Sequence, residues 1–223
     1  MRIEVLTEDR SGGLVLDHIL PKMIRKYNTV ADVFIRPHRG LGEWPDNDSA
    51  GPSPFASGLL ELLPAKMRAY EHVYAGTATI VLVVMDSDSH SPAQIFNRLR
   101  STCQKNAPNL TYVIGVCVEE MESWLLADRA AVLAAYPDAD VVTLDKYEQD
   151  SICGTWETLC RVILKERADR TIRIGYPAVG QLKSEWAERI AQYMDPELNK
   201  SPSFERFSHA VDYAVREILG FHQ

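Results

Sequence analysis

The 223-residue chain carries 31 acidic against 24 basic side chains, a net charge of −7, and a hydrophobic fraction of 46%. That length and apolar content suffice for a full-sized core, while the acidic balance excludes a generic basic surface that coats nucleic acid. Nucleic-acid chemistry itself stays open, because a bound cation can bridge acidic side chains to phosphate.

Taken in chain order, Arg2–Thr7 alternates as a short strand and leads into Glu8-Asp9-Arg10-Ser11-Gly12-Gly13, which reads as a turn. Leu14–Tyr27 has helical spacing, and Ala31–Ile35 reads as a second strand. A Gly/Pro/Asp/Ser-rich stretch from Pro37 to about Ser57 forms a long loop, of the kind that is often functional. Leu59–Tyr74 is helix-like, Ala78–Met85 a buried strand, and Pro92–Asn106 a helix with proline in its first turn. Leu110–Val118 is another apolar strand, and a helix continues through Leu125–Ala135. Alternating strands and helices imply a mainly parallel sheet with helices on both faces.

Beyond Pro137 the pattern becomes helical: Trp156–Arg167, Val179–Met194 and Phe204–Leu219, separated by turns and by Pro177, Pro196 and Pro202. Only Thr171–Ile174 has a strand-like pattern there. The expected organisation is an α/β core over 1–136 with a helical part, 137–223, packed on it. Cys103, Cys117, Cys153 and Cys160 show no zinc spacing, and buried free thiols in a reducing cytoplasm fit them. No apolar run is long enough to span a bilayer, and no leader precedes the first strand, so no membrane association is expected.

Acids follow three of the strands. Glu8 follows the first, Asp86 and Asp88 end the third, and Glu119, Glu120 and Glu122 follow the fourth. Side chains alternate along a strand, so Asp86 and Asp88 share a face about 6–7 Å apart at Cα. In a parallel sheet these carboxyl ends lie on one edge, where ligand sites form. Converging carboxylates repel one another unless a cation neutralises them. One or two Mg²⁺ (or Mn²⁺) ions would do so. Bland readings compete: helix capping or turn formation for Asp86 and Asp88, a plain turn for Glu8-Asp9, and macrodipole stabilisation for Glu119, Glu120 and Glu122.

The pattern resembles the Toprim catalytic domain of primases, topoisomerases and OLD-family nucleases, and more closely the DUF4276 family of stand-alone Toprim-like proteins. The residues that carry the resemblance are LTEDRSG (6–12), MDSD (85–88), VEEMESWLLAD (118–128) and NKSPSF (199–204). The chain departs from the family where Asp9-Arg10-Ser11-Gly12 stands in place of Gly-x-Thr-Glu. The resemblance implies a Rossmann-like core and a metal-dependent nuclease that hydrolyses phosphodiesters, with DNA as the foremost substrate. Glu8 would be the general acid/base, Asp86 and Asp88 would hold Mg²⁺, and Glu120 or Glu122 would complete the metal sphere.

Arg36, His38 and Arg39 open the long loop and are candidate phosphate contacts, with Trp44 a candidate stacking platform or a core anchor. Lys22, Arg25 and Lys26 form a basic strip that reads as a solvated helix face. Ser201 or Ser203 is expected to cap the helix near Phe204, and Trp124, Leu125 and Leu126 to anchor the core. His90 is expected to be a solvated loop histidine. A rival reading is a non-catalytic or partner-dependent module that works with an ABC-type ATPase in a defence-type system. Nucleotide-sugar transfer also uses Asp-x-Asp but leaves Glu8 and the acids after the fourth strand unexplained.

Overall fold

The computed structural model describes residues 1–175 and 178–221, so Pro177 lies outside the described residues. The first half runs β1 (Arg2–Thr7), α1 (Arg10–Ile24), β2 (Asp32–Pro37), α2 (Leu59–Tyr74), β3 (Thr79–Asp86), α3 (Pro92–Asn106) and β4 (Thr111–Cys117). Then come α4 (Glu122–Leu126), α5 (Arg129–Ala135), α6 (Val141–Asp145), α7 (Thr155–Leu164), α8 (Ala168–Ile174), α9 (Ala178–Ala191) and α10 (Pro202–Leu219). The fold is α/β, with an all-parallel four-stranded sheet of order β2-β1-β3-β4 and a helical C-terminal part.

Topology dictates the layers. The β1–α1–β2 crossover moves one way across the sheet, and the two later crossovers move the other way. Right-handed connections therefore put α1 on one face and α2 with α3 on the opposite face. Burial agrees: Leu63 and Met67 of α2 and Leu99 of α3 pack with Val81, Val83 and Met85, whereas Val15, Leu16 and Ile19 of α1 pack with Val5, Ile80 and Leu82. Alternate residues of β3 serve two cores, which is why that strand is an unbroken apolar run.

The core beneath α1 continues into Leu159, Trp186, Ile190, Phe204 and Phe207, so the C-terminal helices complete that face. Trp124 is fully buried, with ring centroids 5.2 Å from both Phe204 and Phe207, and its indole N–H donates to Ser203 Oγ at 2.9 Å. Ser201 caps α10 by accepting from Phe204 N–H at 3.1 Å. Both serine hydroxyls also donate to Asp150, at 2.6 and 3.1 Å. The segments 118–128 and 199–204 are thus one packed unit.

Several local readings change. The helix α1 starts at Arg10, not Leu14, because Asp9 caps it by accepting from Gly12 N–H at 2.9 Å. Gly13 lets that first turn approach the sheet: a Cβ there would stand 3.0 Å from Ile35 Cγ2. Thr171–Ile174 belongs to α8 and is not a strand, since four alternating residues fit either period and the sheet among the described residues is built from β1–β4. The single helix expected over 125–135 breaks at Asp128, which caps α5 and also accepts from Asp195 N–H at 2.8 Å. The short α6 was not foreseen; Asp140 caps it. Lys22 is not simply solvated but donates to the carbonyls of Gln192 and Met194 at 2.7 Å, closing the end of α9, and Lys26 pairs with Asp212. Cys103, Cys117 and Cys160 are buried free thiols, while Cys153 is exposed. Among the described residues no helix is long and apolar enough to cross a membrane.

Gly115 sets how closely α10 lies on β4: an added Cβ would meet Phe207 Cδ2 at 2.9 Å and Val84 Cγ2 at 3.1 Å. Gly115→Ala is expected to cost about 1–3 kcal/mol by overpacking, read as a lower urea midpoint at unchanged slope.

Candidate active site

Strand order reverses between β1 and β3, and the carboxyl ends of these two strands open a crevice at that switch point. Glu8 follows β1 directly and Asp86 is the last residue of β3. The Asp86 N–H points at Glu8 Oε2, 3.4 Å away, so the two acids stand side by side. Asp88 follows, exposed, in the left-handed region at φ 47°, and Glu119 beyond β4 is left-handed too, at φ 62°. Such backbone costs non-glycine residues about 1–2 kcal/mol each unless neighbours enforce it. Here they do: Asp88 N–H donates to Glu119 O at 2.8 Å and Glu119 N–H to Ser87 Oγ at 2.9 Å.

The electrostatics of this edge are unusual. Burial, then the charges of Asp88 and Asp9, push Glu8 up to about 7. Burial and the Glu8 charge push Asp86 well above the ordinary carboxylate range. Burial also pushes Glu122, a fully buried side chain, up to about 7, with the Glu120 charge adding to the rise and Lys183 opposing it. Glu120 is raised by burial as well.

One cation enters from the C-terminal part. Lys183 of α9 is buried, and its Nζ lies 3.1 Å from Glu122 Oε2 and 3.3 Å from Glu120 Oε1. The Lys183 ammonium is therefore the countercharge of the fully buried Glu122 carboxylate. Sequence reasoning did not connect Lys183 to the acids. Its signal was present all the same: Val179, Lys183, Trp186, Ala187 and Ile190 form the buried stripe of α9, and a lysine on an apolar stripe implies a buried partner.

The acids after β4 divide their work. Glu119 accepts from the N–H groups of Gly154 and Thr155, each at 2.9 Å, and so holds the start of α7. Glu120 accepts from Trp156 N–H at 3.1 Å and Thr155 Oγ1 at 3.2 Å besides pairing with Lys183. Macrodipole stabilisation is therefore real, but the helix is α7, not the one these residues precede in sequence.

Among the expected phosphate contacts, Arg36 is turned away from the edge. Its Nε donates to Glu4 Oε2 at 2.6 Å, and Glu4 lies a pair of residues further back along β1. Burial raises Glu4, but hydrogen bonds from Arg36 and Arg2 outweigh it and hold the carboxyl below its ordinary value. His38 stays at the edge. Its Nδ1 donates to Thr7 O at 2.8 Å, while Nε2 has no partner among the described residues. Burial lowers its pKa, so the neutral ring presents a bare Nε2 lone pair. Arg39 is exposed next to it, and the backbone of Gly40 donates to Glu8 O at 2.9 Å.

Among the described residues no three of His, Cys, Asp and Glu converge as a ready-made metal cage. Were a Mg²⁺ ion held at this edge, Asp86 and Asp88 would be its carboxylates, with Glu8 beside them. That ion keeps several waters and takes one or two carboxylates plus substrate phosphate, and the mutual repulsion of these acids is what a cation would relieve. Glu120 and Glu122 already stand against an ammonium. No protein-family model, curated protein or solved structure matches this chain.

Glu8 and Glu122 hold protons in the folded state well above the pH at which they would lose them when unfolded. That stabilisation is complete below the ordinary glutamate value of 4.5 and is lost as pH rises through about 7. Urea midpoints are expected to fall between about pH 5 and about pH 8, and Glu122→Gln should flatten the decline. Lys183→Met leaves buried acid uncompensated and should cost about 3–5 kcal/mol at about pH 8. The same substitution should cost visibly less at about pH 5, where Glu122 is protonated.

Proposed function

We propose that the chain is a metal-dependent phosphodiester hydrolase acting on nucleic acid, DNA foremost, as the Toprim-like resemblance implies. The observation that carries this reading is the juxtaposition of Glu8 with Asp86 at the topological switch point. Two acids abut there, and both titrate far above their ordinary range. A carboxyl near neutrality can both accept and donate a proton at working pH, which is the property a general acid/base needs. Asp86 and Asp88 would hold Mg²⁺ or Mn²⁺, which when bound supplies charge neutralisation at the phosphate and a more acidic water.

In this reading Glu8 moves the proton at the scissile phosphodiester. The Asp88–Glu119 cross-link keeps the aspartates aimed, since phosphoryl transfer depends chiefly on positioning and electrostatics. Arg39, exposed beside Glu8, would contact the phosphates, whereas Arg36 is engaged with Glu4 and the bare Nε2 of neutral His38 can only accept a proton or hydrogen bond. Lys183 keeps Glu120 and Glu122 in place beside the site. It acts through them as a positioning residue.

A second reading is a module that works only with a partner, an ABC-type ATPase by the resemblance. One observation favours a partner. The outer side of β4 ends the sheet, and grooves of about 640 and 540 Å³ run beside it, lined by Phe96, Ile114, Val116 and Phe207 among others. An unpaired strand edge with apolar flanks is a ready site for another chain.

Purified protein is expected to cut single-stranded or supercoiled DNA with Mg²⁺ or Mn²⁺, and chelation should abolish cutting. Glu8→Gln and Asp86→Asn should each lower the rate at least about 100-fold. Mg²⁺ should also raise the unfolding midpoint of the wild type but not of Asp86→Asn. A folded wild-type protein that neither cuts nor responds to metal defeats the hydrolase reading and leaves the partner-dependent module.

A further inference from the structure

Beside Asp86 lies a cavity of about 340 Å³ that the acid/base site does not use. One wall is the loop carrying Leu41–Trp44, and the other is the first turns of α3 with Gln94, Ile95 and Arg98. Asp86, Ser87 and the exposed His90 also line it, and Glu43 adds a second acid. The loop is not a loose tether. Gly40 N–H donates to Glu8 O at 2.9 Å, Leu59 N–H to Gly40 O at 3.0 Å, and Leu60 N–H to Leu41 O at 2.9 Å. Gly42, left-handed at φ 67°, passes so near Gly58 that an added Cβ would stand 2.9 Å from its Cα. The cavity is therefore built in advance and tied to the same backbone that carries Glu8.

Its lining has a definite chemistry. Trp44 is half-buried against the apolar cluster of α2 and α3, and the Arg98 guanidinium lies 4.3 Å from its ring centroid. A flat, exposed cation resting on an indole marks a face that accepts planar groups. Gln94 offers both a donor and an acceptor, and His90 offers a second polar edge. The volume is near the lower end for ligand cavities. That is room enough for one planar heterocycle and its sugar.

Resting on the hydrolase reading above, we infer that this cavity binds a single unpaired nucleobase of the substrate, stacked on Trp44, next to the phosphate at Glu8 and Asp86. The substrate class that follows is single-stranded or locally unpaired nucleic acid. A base inside a duplex would have to leave its stack to enter.

The test uses the full chain and labelled oligonucleotides of one sequence: an intact single strand, the same strand with one abasic position, and the blunt duplex. With Mg²⁺ the single strand should be cut at least about tenfold faster than the duplex, and cuts next to the abasic position should disappear. Trp44→Ala should lower kcat/KM on the single strand by roughly tenfold to a hundredfold, with Trp44→Phe recovering most of it. Gln94→Leu, on the exposed first turn of α3, reads the cavity without disturbing the loop and should lower cleavage several-fold. Binding is followed separately, by anisotropy of the labelled strand in chelator, where Trp44→Ala should weaken it about tenfold.

Cutting that ignores the abasic position, Trp44 and Gln94 overturns the cavity inference and leaves the hydrolase. Binding that depends on Trp44, without any cutting, does the reverse. Binding and cutting that both respond to Trp44 and to the missing base sustain the two together.

Discussion

Crowding of negative charge at one edge of the sheet is the constraint on which the rest of the structure depends. Parallel strands deliver their carboxyl ends to the same side, and this chain places Glu8, Asp86, Glu120 and Glu122 there within mutual electrostatic reach. Four ionised carboxylates so close would repel strongly in a site shielded from water. The molecule relieves the strain in two ways. Lys183 brings a buried ammonium between Glu120 and Glu122, and Glu8 and Asp86 hold their protons far above the ordinary carboxylate range. The first device acts wherever Glu120 and Glu122 are ionised. The second leaves a pair of acids whose charge a cation or a proton can change.

This division ties the helical C-terminal part to the chemistry of the sheet. The ammonium comes from α9, the cap that receives Glu119 and Glu120 is the start of α7, and α10 clamps Trp124 through Phe204 and Phe207. Segment 118–128 is thus held from three directions. A loop carrying left-handed Glu119 and a short helix with a buried glutamate would not keep this shape alone, because both features are unfavourable locally. The core joins sheet and helices without interruption, so loss of packing beneath α10 would be felt at the acids.

Much of this was legible beforehand for a simple reason. Strands buried on both faces must be apolar throughout, so β3 and β4 announce themselves, and acids that interrupt such runs stand out. Glu8, Asp86 and Asp88 do follow adjacent parallel strands at one edge of the sheet. Ser201 caps α10 and Trp124 is a core anchor, as their local patterns indicate. What misled was short and ambiguous: four alternating residues at Thr171–Ile174, and two glycines read as a turn where α1 needed room to approach the sheet.

The sequence by itself determined the alternation of strands and helices as far as β4, the parallel sheet, and the list of acids at its carboxyl edge, because periodicity and strand length are local properties. Only the tertiary structure decided which acid does what. Glu119 and Glu120 hold a helix 35 residues onward, Glu122 faces a lysine 61 residues away, and Glu8 lies against Asp86 across 78 residues. The loop with Trp44 likewise becomes a cavity wall only once α3 stands opposite it. These pairings follow from the path of the chain through space, and local pattern carries no record of partners so far apart.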